Sequence, residues 1–387
     1  MSAFLALATG DVFPGEMICR GELLPGQAVI YHADKFPYRI LTDPVGYGKI
    51  IVSDCQMVDN RWPYLTEIES YSPHLKALVI LGDLLKSPFQ DKRYNLVNYL
   101  KSNGITLFKP DKPAALNTLL MQSGPVPGII TDDLTEINQL YIKKTPSGFK
   151  IYEPYSQSLD NLDPVRKLST RLEFFWDLPD QELIVPQIRK YLIVAYDFGL
   201  AYSILRNIKK LGCDIRIVPA DCSPEDVIAL KPEGILLAGG PGGLEGMGYA
   251  VNNISRLVGL RPILATGLGH ILLASALGAK IEKMKQPHFG TNIEIQSVAG
   301  LDLGLKENYF VTTQTHLLTP DRTTFDKGPY KVTFTNRNDQ TVEAFESADY
   351  LLQSYAFSLG GDDYLTKTCL NSFIAEMESH RAAGKIS

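Results

Sequence analysis

A chain of 387 residues, 45% apolar and 21% charged, has the make-up of a soluble globular protein of roughly two or three domains. No apolar run reaches the ~18 residues of a membrane helix, and the start, Met1-Ser2-Ala3-Phe4-Leu5, carries no basic segment of a secretory signal. A net charge of −5 without a Lys/Arg cluster argues against nucleic acid as a partner, and five scattered cysteines without a CxxC pair read as reduced thiols of a cytoplasmic protein.

Residues 1–150 read as a mixed α/β domain. Gln27–Tyr31, Lys49–Ser53 and Ala77–Leu81 are strand-like, with a turn at Thr42-Asp43-Pro44. Helical spacing runs from Tyr94 to Ser102 and stops at Asn103-Gly104, and a second helix is expected over Ala114–Gln122. Residues 151–189 hold prolines and no sustained period, so they read as a connector.

From residue 190 to 387 the pattern changes. Strands are expected at Tyr191–Tyr196, Asp214–Val218, Gly234–Ala238 and 262–266, with helices at Ala201–Leu211, after Ser223-Pro224, near 248–258 and up to Leu277. Alternation of this kind gives a doubly wound, mostly parallel sheet with helices on both faces. Ligands of such sheets bind beyond the carboxyl ends of the strands. After residue 290 strands and hairpins follow, and a last helix is expected from about Tyr364 to His380.

Two stretches stand at those strand ends. Gly239-Gly240-Pro241-Gly242-Gly243 could offer backbone N–H groups to an anion, yet it is neither a Walker loop nor GxGxxG, and a plain turn explains it as well. Ala265-Thr266-Gly267-Leu268-Gly269-His270 is a strand running through an elbow into a helix. Elbows of this kind present a nucleophile on a strained turn, but the residue at the apex is Gly267, which has no side chain. His270 and His316 could each serve as a base or be satisfied structural histidines. No Ser/His/Asp or Cys/His set and no metal-ligand spacing is visible, and no cofactor is expected.

The wording and order of these segments resemble the small (glutaminase) chain of carbamoyl phosphate synthetase along nearly the whole chain. The resemblance rests on Ile40-Leu41-Thr42-Asp43-Pro44 and Leu119-Leu120 in the first part. It is denser in the second, at Val194-Ala195-Tyr196-Asp197-Phe198-Gly199, Ile204-Leu205-Arg206-Asn207, Ser223-Pro224-Glu225-Asp226, Gly240-Pro241-Gly242, Leu268-Gly269-His270 and Leu277-Gly278-Ala279-Lys280. It implies an N-terminal small-chain domain followed by a class I amidotransferase domain. In that family a cysteine attacks the glutamine amide, a histidine acts as base and a glutamate orients it. The ammonia passes to a large synthetase subunit, which makes carbamoyl phosphate for arginine and pyrimidines.

This sequence departs from the family where the chemistry lies. The family's Gly-Ile-Cys-Leu-Gly-His-Gln reads Ala265-Thr266-Gly267-Leu268-Gly269-His270-Ile271, so the cysteine is Gly267 and a substrate-binding glutamine is Ile271. Its Gln-Tyr-His-Pro-Glu reads Gln353-Ser354-Tyr355-Ala356-Phe357, so the histidine is Tyr355 and the glutamate Phe357. Its Ser-Gln-Asn-His-Gly-Phe reads Thr313-Gln314-Thr315-His316-Leu317-Leu318, which changes the substrate-gripping positions now held by Thr315, Leu317 and Leu318. Its Asp-Pro-Ser-Tyr reads Asp43-Pro44-Val45-Gly46, which puts Val45 where a serine reaches the glutamine. Gly240, Gly242 and Leu268 remain.

Random drift would strike scaffold and site alike, whereas here caps, strand cores and glycine turns persist. A pocket that no longer holds a zwitterion leaves polar groups unpaired, at roughly 1–3 kcal/mol each, and apolar replacements remove that penalty. Thr266 sits one residue off the apex and should point into the sheet, and a tyrosine with an ordinary pKa of about 10 is a poor base. The expectation is an inactive small-chain homologue, partnering an ammonia-using synthetase large subunit as structural or regulatory chain. The alternatives are a repurposed stand-alone binding protein with an apolar cleft, and an active glutamine-hydrolysing subunit with unrecognised residues.

Overall fold

The computed structural model describes residues 1–86, 93–133, 141–145, 148–151, 163–177, 191–298, 307–325 and 329–384. The chain divides into two compact units, Met1–Leu162 with Lys285–Asn292, and Asp163–Met284 with Ile293–Ser387. Of the connector expected over 151–189, residues 152–162 and 178–189 lie outside the described residues.

The first unit is built on seven strands: β1 Ser2–Leu7, β2 Val12–Cys19, β3 Gly26–Tyr31, β4 Lys49–Ser53, β5 Ala77–Ile80, β6 Thr106–Pro110 and β7 Val126–Thr131. They close into a barrel in the order β1-β2-β6-β5-β4-β3-β7. The β3, β4, β5 and β6 contacts are parallel and the others antiparallel, so the barrel is mixed. Ile50 and Val52 of β4 share a buried cluster with Leu116 and Leu120 of helix α2, Pro113–Ser123. Ile51, on the opposite face, joins Leu96 and Leu100 of helix α1, Leu96–Ser102. Burial on both faces explains why β4 reads as an unbroken apolar run.

Sequence patterning finds β3, β4 and β5 but not the closed barrel. Pro14-Gly15 within β2 and Pro127-Gly128 within β7 look like turn signals. In the barrel their glycines are close-approach points instead: a Cβ on Gly15 would lie 2.6 Å from the Phe108 ring, and one on Gly128 2.9 Å from the Ala6 carbonyl oxygen.

The second unit begins with a short helix, α3 Pro164–Leu168, and a two-residue strand, β8 Phe174–Phe175. Then come β9 Tyr191–Asp197, α4 Tyr202–Lys210, β10 Cys213–Pro219, α5 Pro224–Ala229, β11 Gly234–Ala238, α6 Gly248–Leu257, β12 Ile263–Thr266 and α7 Leu268–Ala276. The chain continues through β13 Ile281–Ser297, β14 Tyr309–Pro320, β15 Lys331–Asn336, β16 Val342–Ser347, β17 Leu352–Tyr355 and α8 Tyr364–Ala382. The ten strands form one sheet in the order β8-β10-β9-β11-β12-β17-β16-β15-β13-β14.

Strands β10, β9, β11, β12 and β17 run parallel. Ile193 and Ala195 of β9 pack with α4 and α8, while Val194 and Tyr196 pack with α5, α6 and α7. This is the doubly wound arrangement expected. Ser223 caps α5 by accepting from the Asp226 N–H at 3.1 Å, as its sequence position indicates. Strand structure resumes at Ile281, earlier than the position after 290 that patterning suggests.

Candidate functional site

In the second unit β12 ends at Thr266 and α7 begins at Leu268, so Gly267 is the whole turn between them. Its φ of 60° and ψ of −124° lie where L side chains are strained and glycine is not. A Cβ on Gly267 would meet Gly239 Cα and N at 3.8 Å, which is ordinary contact. Space therefore exists at the apex, and backbone conformation is the obstacle to a side chain. The Gly267 N–H donates to the Tyr355 carbonyl at 3.2 Å, and its own carbonyl accepts from the His270 N–H at 3.1 Å.

The glycine loop after β11 lies against this elbow. Gly240 has φ +102°, and a Cβ there would collide with the Phe198 carbonyl oxygen and come within 2.8 Å of Leu268 Cδ2. Gly242 has φ +94°. Leu268 and Ile271, on α7, are buried, and Leu318 of β14 reaches the other end of the loop, with Cδ1 3.2 Å from where a Cβ on Gly243 would stand. Thr315 and Leu317, on the same strand, are half-buried.

The backing of the loop depends on Asp197, the last residue of β9. Its carboxylate accepts from the N–H groups of Gly199 at 3.1 Å, Leu200 at 3.3 Å and Thr170 at 2.7 Å. Burial raises its pKa, opposed by these three bonds. Sequence reasoning passed over Asp197; an acid ending a buried strand just before Phe198-Gly199 was the available signal.

On the other flank Tyr355 ends β17 and Phe357 follows it. Both are buried in the apolar cluster under α8, with ring centroids 5.3 Å apart and Phe334 at 6.2 Å from Phe357. The Tyr355 hydroxyl donates to Gln353 Oε1 at 3.3 Å. Burial first, then the neighbouring Cys369, pushes its pKa well above the usual tyrosine value. A phenol held this way cannot take a proton as a base near neutral pH.

The other hydroxyl and imidazole groups are also buried and held by hydrogen bonds, except that His270 Nε2 has no hydrogen-bond partner among the described residues. Thr266 Oγ1 donates to the Phe357 carbonyl at 2.5 Å and the residue is buried, in keeping with a side chain turned into the fold. His270 is wholly buried, with Nδ1 2.8 Å from Ser354 Oγ. Burial, then the nearby His316, pushes its pKa down to about 3, so it is a neutral structural ring. Both ring nitrogens of His316 are engaged, Nδ1 with the Leu318 carbonyl at 2.9 Å and Nε2 with Gln314 Oε1 at 2.8 Å.

Val45 belongs to the first unit, in a single turn of 3-10 helix, Pro44–Gly46. Its N–H donates to Asp43 Oδ1 at 3.0 Å and its carbonyl accepts from the buried Lys49 Nζ at 2.8 Å. Burial brings the Lys49 pKa down to about 8.

Residues 194–356 match the family model of the class-I glutamine amidotransferases. The chain is 31% identical over 353 residues to the carbamoyl phosphate synthase small chain of Syntrophotalea carbinolica, covering 89% of each sequence. Against that of Pasteurella multocida it is 32% identical over 368 residues, 93% of this chain and 89% of the relative. Against that of Pyropia yezoensis it is 30% identical over 351 residues, 88% of this chain and 87% of the relative.

Proposed function

This chain belongs to the carbamoyl phosphate synthase small chain family, and from that premise we propose that it is a member without glutaminase activity, which serves a synthetase large subunit as a structural or regulatory chain. The large subunit then uses free ammonia. One observation carries the reading: the apex of the elbow, where the family resemblance puts the nucleophile, is Gly267. Its surroundings support the same conclusion. Tyr355 and Phe357, at the positions of base and orienting acid, are core residues, and neither can activate a nucleophile. Val45 and Ile271 stand where the resemblance implies a serine and a glutamine that contact substrate, Leu317 and Leu318 stand where the family has glycine and phenylalanine, and Thr315 keeps only a hydroxyl.

Docking on a large subunit does not require an intact nucleophile. The barrel unit is complete in its seven strands, although its resemblance to the family implies only one contact to glutamine, at Val45. A chain retained as partner keeps such a unit folded. No helix among the described residues is long and apolar enough to cross a membrane.

Co-expression with a cognate large subunit tests the reading. The two chains should elute together in size-exclusion chromatography, and the complex should make carbamoyl phosphate from ammonia but not from glutamine. Two separate peaks at micromolar concentration would favour a stand-alone binding protein. Glutamate released from glutamine above the uncatalysed rate, by the chain alone or in the complex, would overturn inactivity.

A further inference from the structure

The segment Asp163–Thr170 crosses the carboxyl ends of three adjacent strands. At the end of β9, Asp197 Oδ2 accepts from the Thr170 N–H at 2.7 Å. At the end of β10, Ser169 Oγ accepts from the Ala220 N–H at 2.9 Å. Beyond β11, Pro164 Cγ lies 3.0 Å from the place of a Cβ on Gly242, and Asp163 Cβ lies 3.3 Å from that of Gly246. Val165 between them is wholly buried, in a cluster with Phe198 and Met247. The Asp163 end is clasped as well: Asp163 Oδ2 accepts from the Tyr249 hydroxyl at 3.0 Å, and the Arg166 guanidinium lies 4.8 Å from the centre of the Tyr249 ring.

Crevices at the carboxyl ends of parallel strands are where doubly wound sheets take ligands. Here a piece of the chain itself lies across that edge. Asp197 joins this piece to the rest. One carboxylate oxygen holds Thr170, and the other holds the N–H groups of Gly199 and Leu200. The turn so fixed backs the glycine loop directly, because the Phe198 and Gly199 carbonyls fill the space a side chain on Gly240 or Gly239 would need. The loop in turn touches the elbow, with Gly239 at 3.8 Å from the Cβ position of Gly267.

We propose that Asp163–Thr170 is a strap that closes the crevice at the carboxyl ends of β10, β9 and β11, and that Asp197 is the joint through which the strap sets the glycine loop. Releasing the strap then loosens the loop. The arrangement is independent of whether the elbow carries a nucleophile, so it stands or falls apart from the inactivity proposed above.

Peptide-resolved hydrogen exchange on the full chain tests it with two variants. Asp197→Asn replaces one acceptor oxygen with an NH2 donor and so leaves a single acceptor oxygen for three N–H groups. Exchange should quicken on the order of tenfold or more in residues 163–170 and 239–246 together, with the barrel strands and α8 unchanged. Tyr249→Phe removes the hydroxyl bond to Asp163, at the other end of the strap, together with the hydroxyl's weaker contact to Met247 Sδ. It should quicken the same two stretches by a smaller factor, and it decides the matter if Asp197→Asn does not fold. A strap that loosens while 239–246 keeps its protection would overturn the coupling. So would a uniform rise across the second unit, which would make Asp197 an ordinary part of the fold.

Discussion

The two flanks of the elbow are built differently. On the side of β9 and β11, the turn at 198–200 and the glycine loop are fixed by backbone: positive φ angles, three N–H groups on one aspartate, and carbonyls packed where a Cβ would be. On the side of β17, Tyr355 and Phe357 are fixed by side-chain packing with Phe334 and the residues of α8. A backbone-built flank cannot change one residue at a time without strain, so it would persist even where its chemistry were lost. A side-chain-built flank can be refilled, and here it has joined the core. On the reading proposed above, the difference accounts for an amidotransferase-like outline without the family's reactive groups.

The largest effect expected concerns activity. If the β17 flank has been refilled, restoring the nucleophile alone restores nothing. Gly267→Cys should show no glutamine hydrolysis, since removal of one member of a catalytic set typically lowers turnover about a million-fold, and a thiol without a base stays mostly protonated. Rapid covalent capture of a glutamine analogue by this variant would show that a working base survives and would break the comparison.

Placing the family's acid back into the refilled flank should damage the fold. Phe357 is 1% exposed, and Phe357→Glu buries a carboxylate without a cation among apolar rings. The expected loss is about 4 kcal/mol in chemical denaturation; a loss under about 1 kcal/mol would mean the flank has remained polar and open. The opposite flank offers the matching test. Gly240→Ala meets a positive φ and the Phe198 carbonyl at once, and should lose about 3 kcal/mol without any change of charge.

His270, which bonds Ser354 of β17, adds a test by pH on that side of the elbow. Its folded-state value, about 3, lies below the usual 6.5, so the unfolded chain takes up the proton first as pH falls. The stability due to the neutral buried ring is full above pH 6.5 and drains as pH falls toward 3. His270→Gln, which keeps a polar partner for Ser354 but does not titrate there, should unfold less steeply with acid. Parallel denaturation midpoints for the two proteins from pH 7 to 4 would remove this role.

Much of the second unit could be read from sequence because its signals are local. Tyr191–Tyr196 and Gly234–Ala238 are unbroken apolar runs, Ser223-Pro224 is a helix start, and Gly267 sits between a strand and a helix. The barrel could not, since Pro14-Gly15 and Pro127-Gly128 look the same whether they end a strand or let two strands approach. The partners of Asp197 and of the strap were illegible for another reason. The bond from Thr170 to Asp197 spans 27 residues and that from Tyr249 to Asp163 spans 86, and no periodicity carries such pairings. Counting from the apex turns Thr266 away from the cleft, but its acceptor, the Phe357 carbonyl, lies just past β17, 91 residues away.

The smallest effect isolates the elbow itself. At Gly267 a methyl group has room, with its nearest neighbours at 3.8 Å, so any loss on Gly267→Ala reflects the φ of 60° and ψ of −124° alone. Glycine relieves that strain, and the expected loss is about 1 kcal/mol. Gly248 supplies the control. It opens α6 with nothing within 4 Å of a Cβ and no positive φ, so Gly248→Ala should raise stability by up to about 1 kcal/mol through helix propensity and a less free unfolded chain. Thermal melts of the two variants should therefore move in opposite directions by a few degrees. If Gly267→Ala melts at or above the parent, the elbow has relaxed, and the backbone-built flank stops short of the apex.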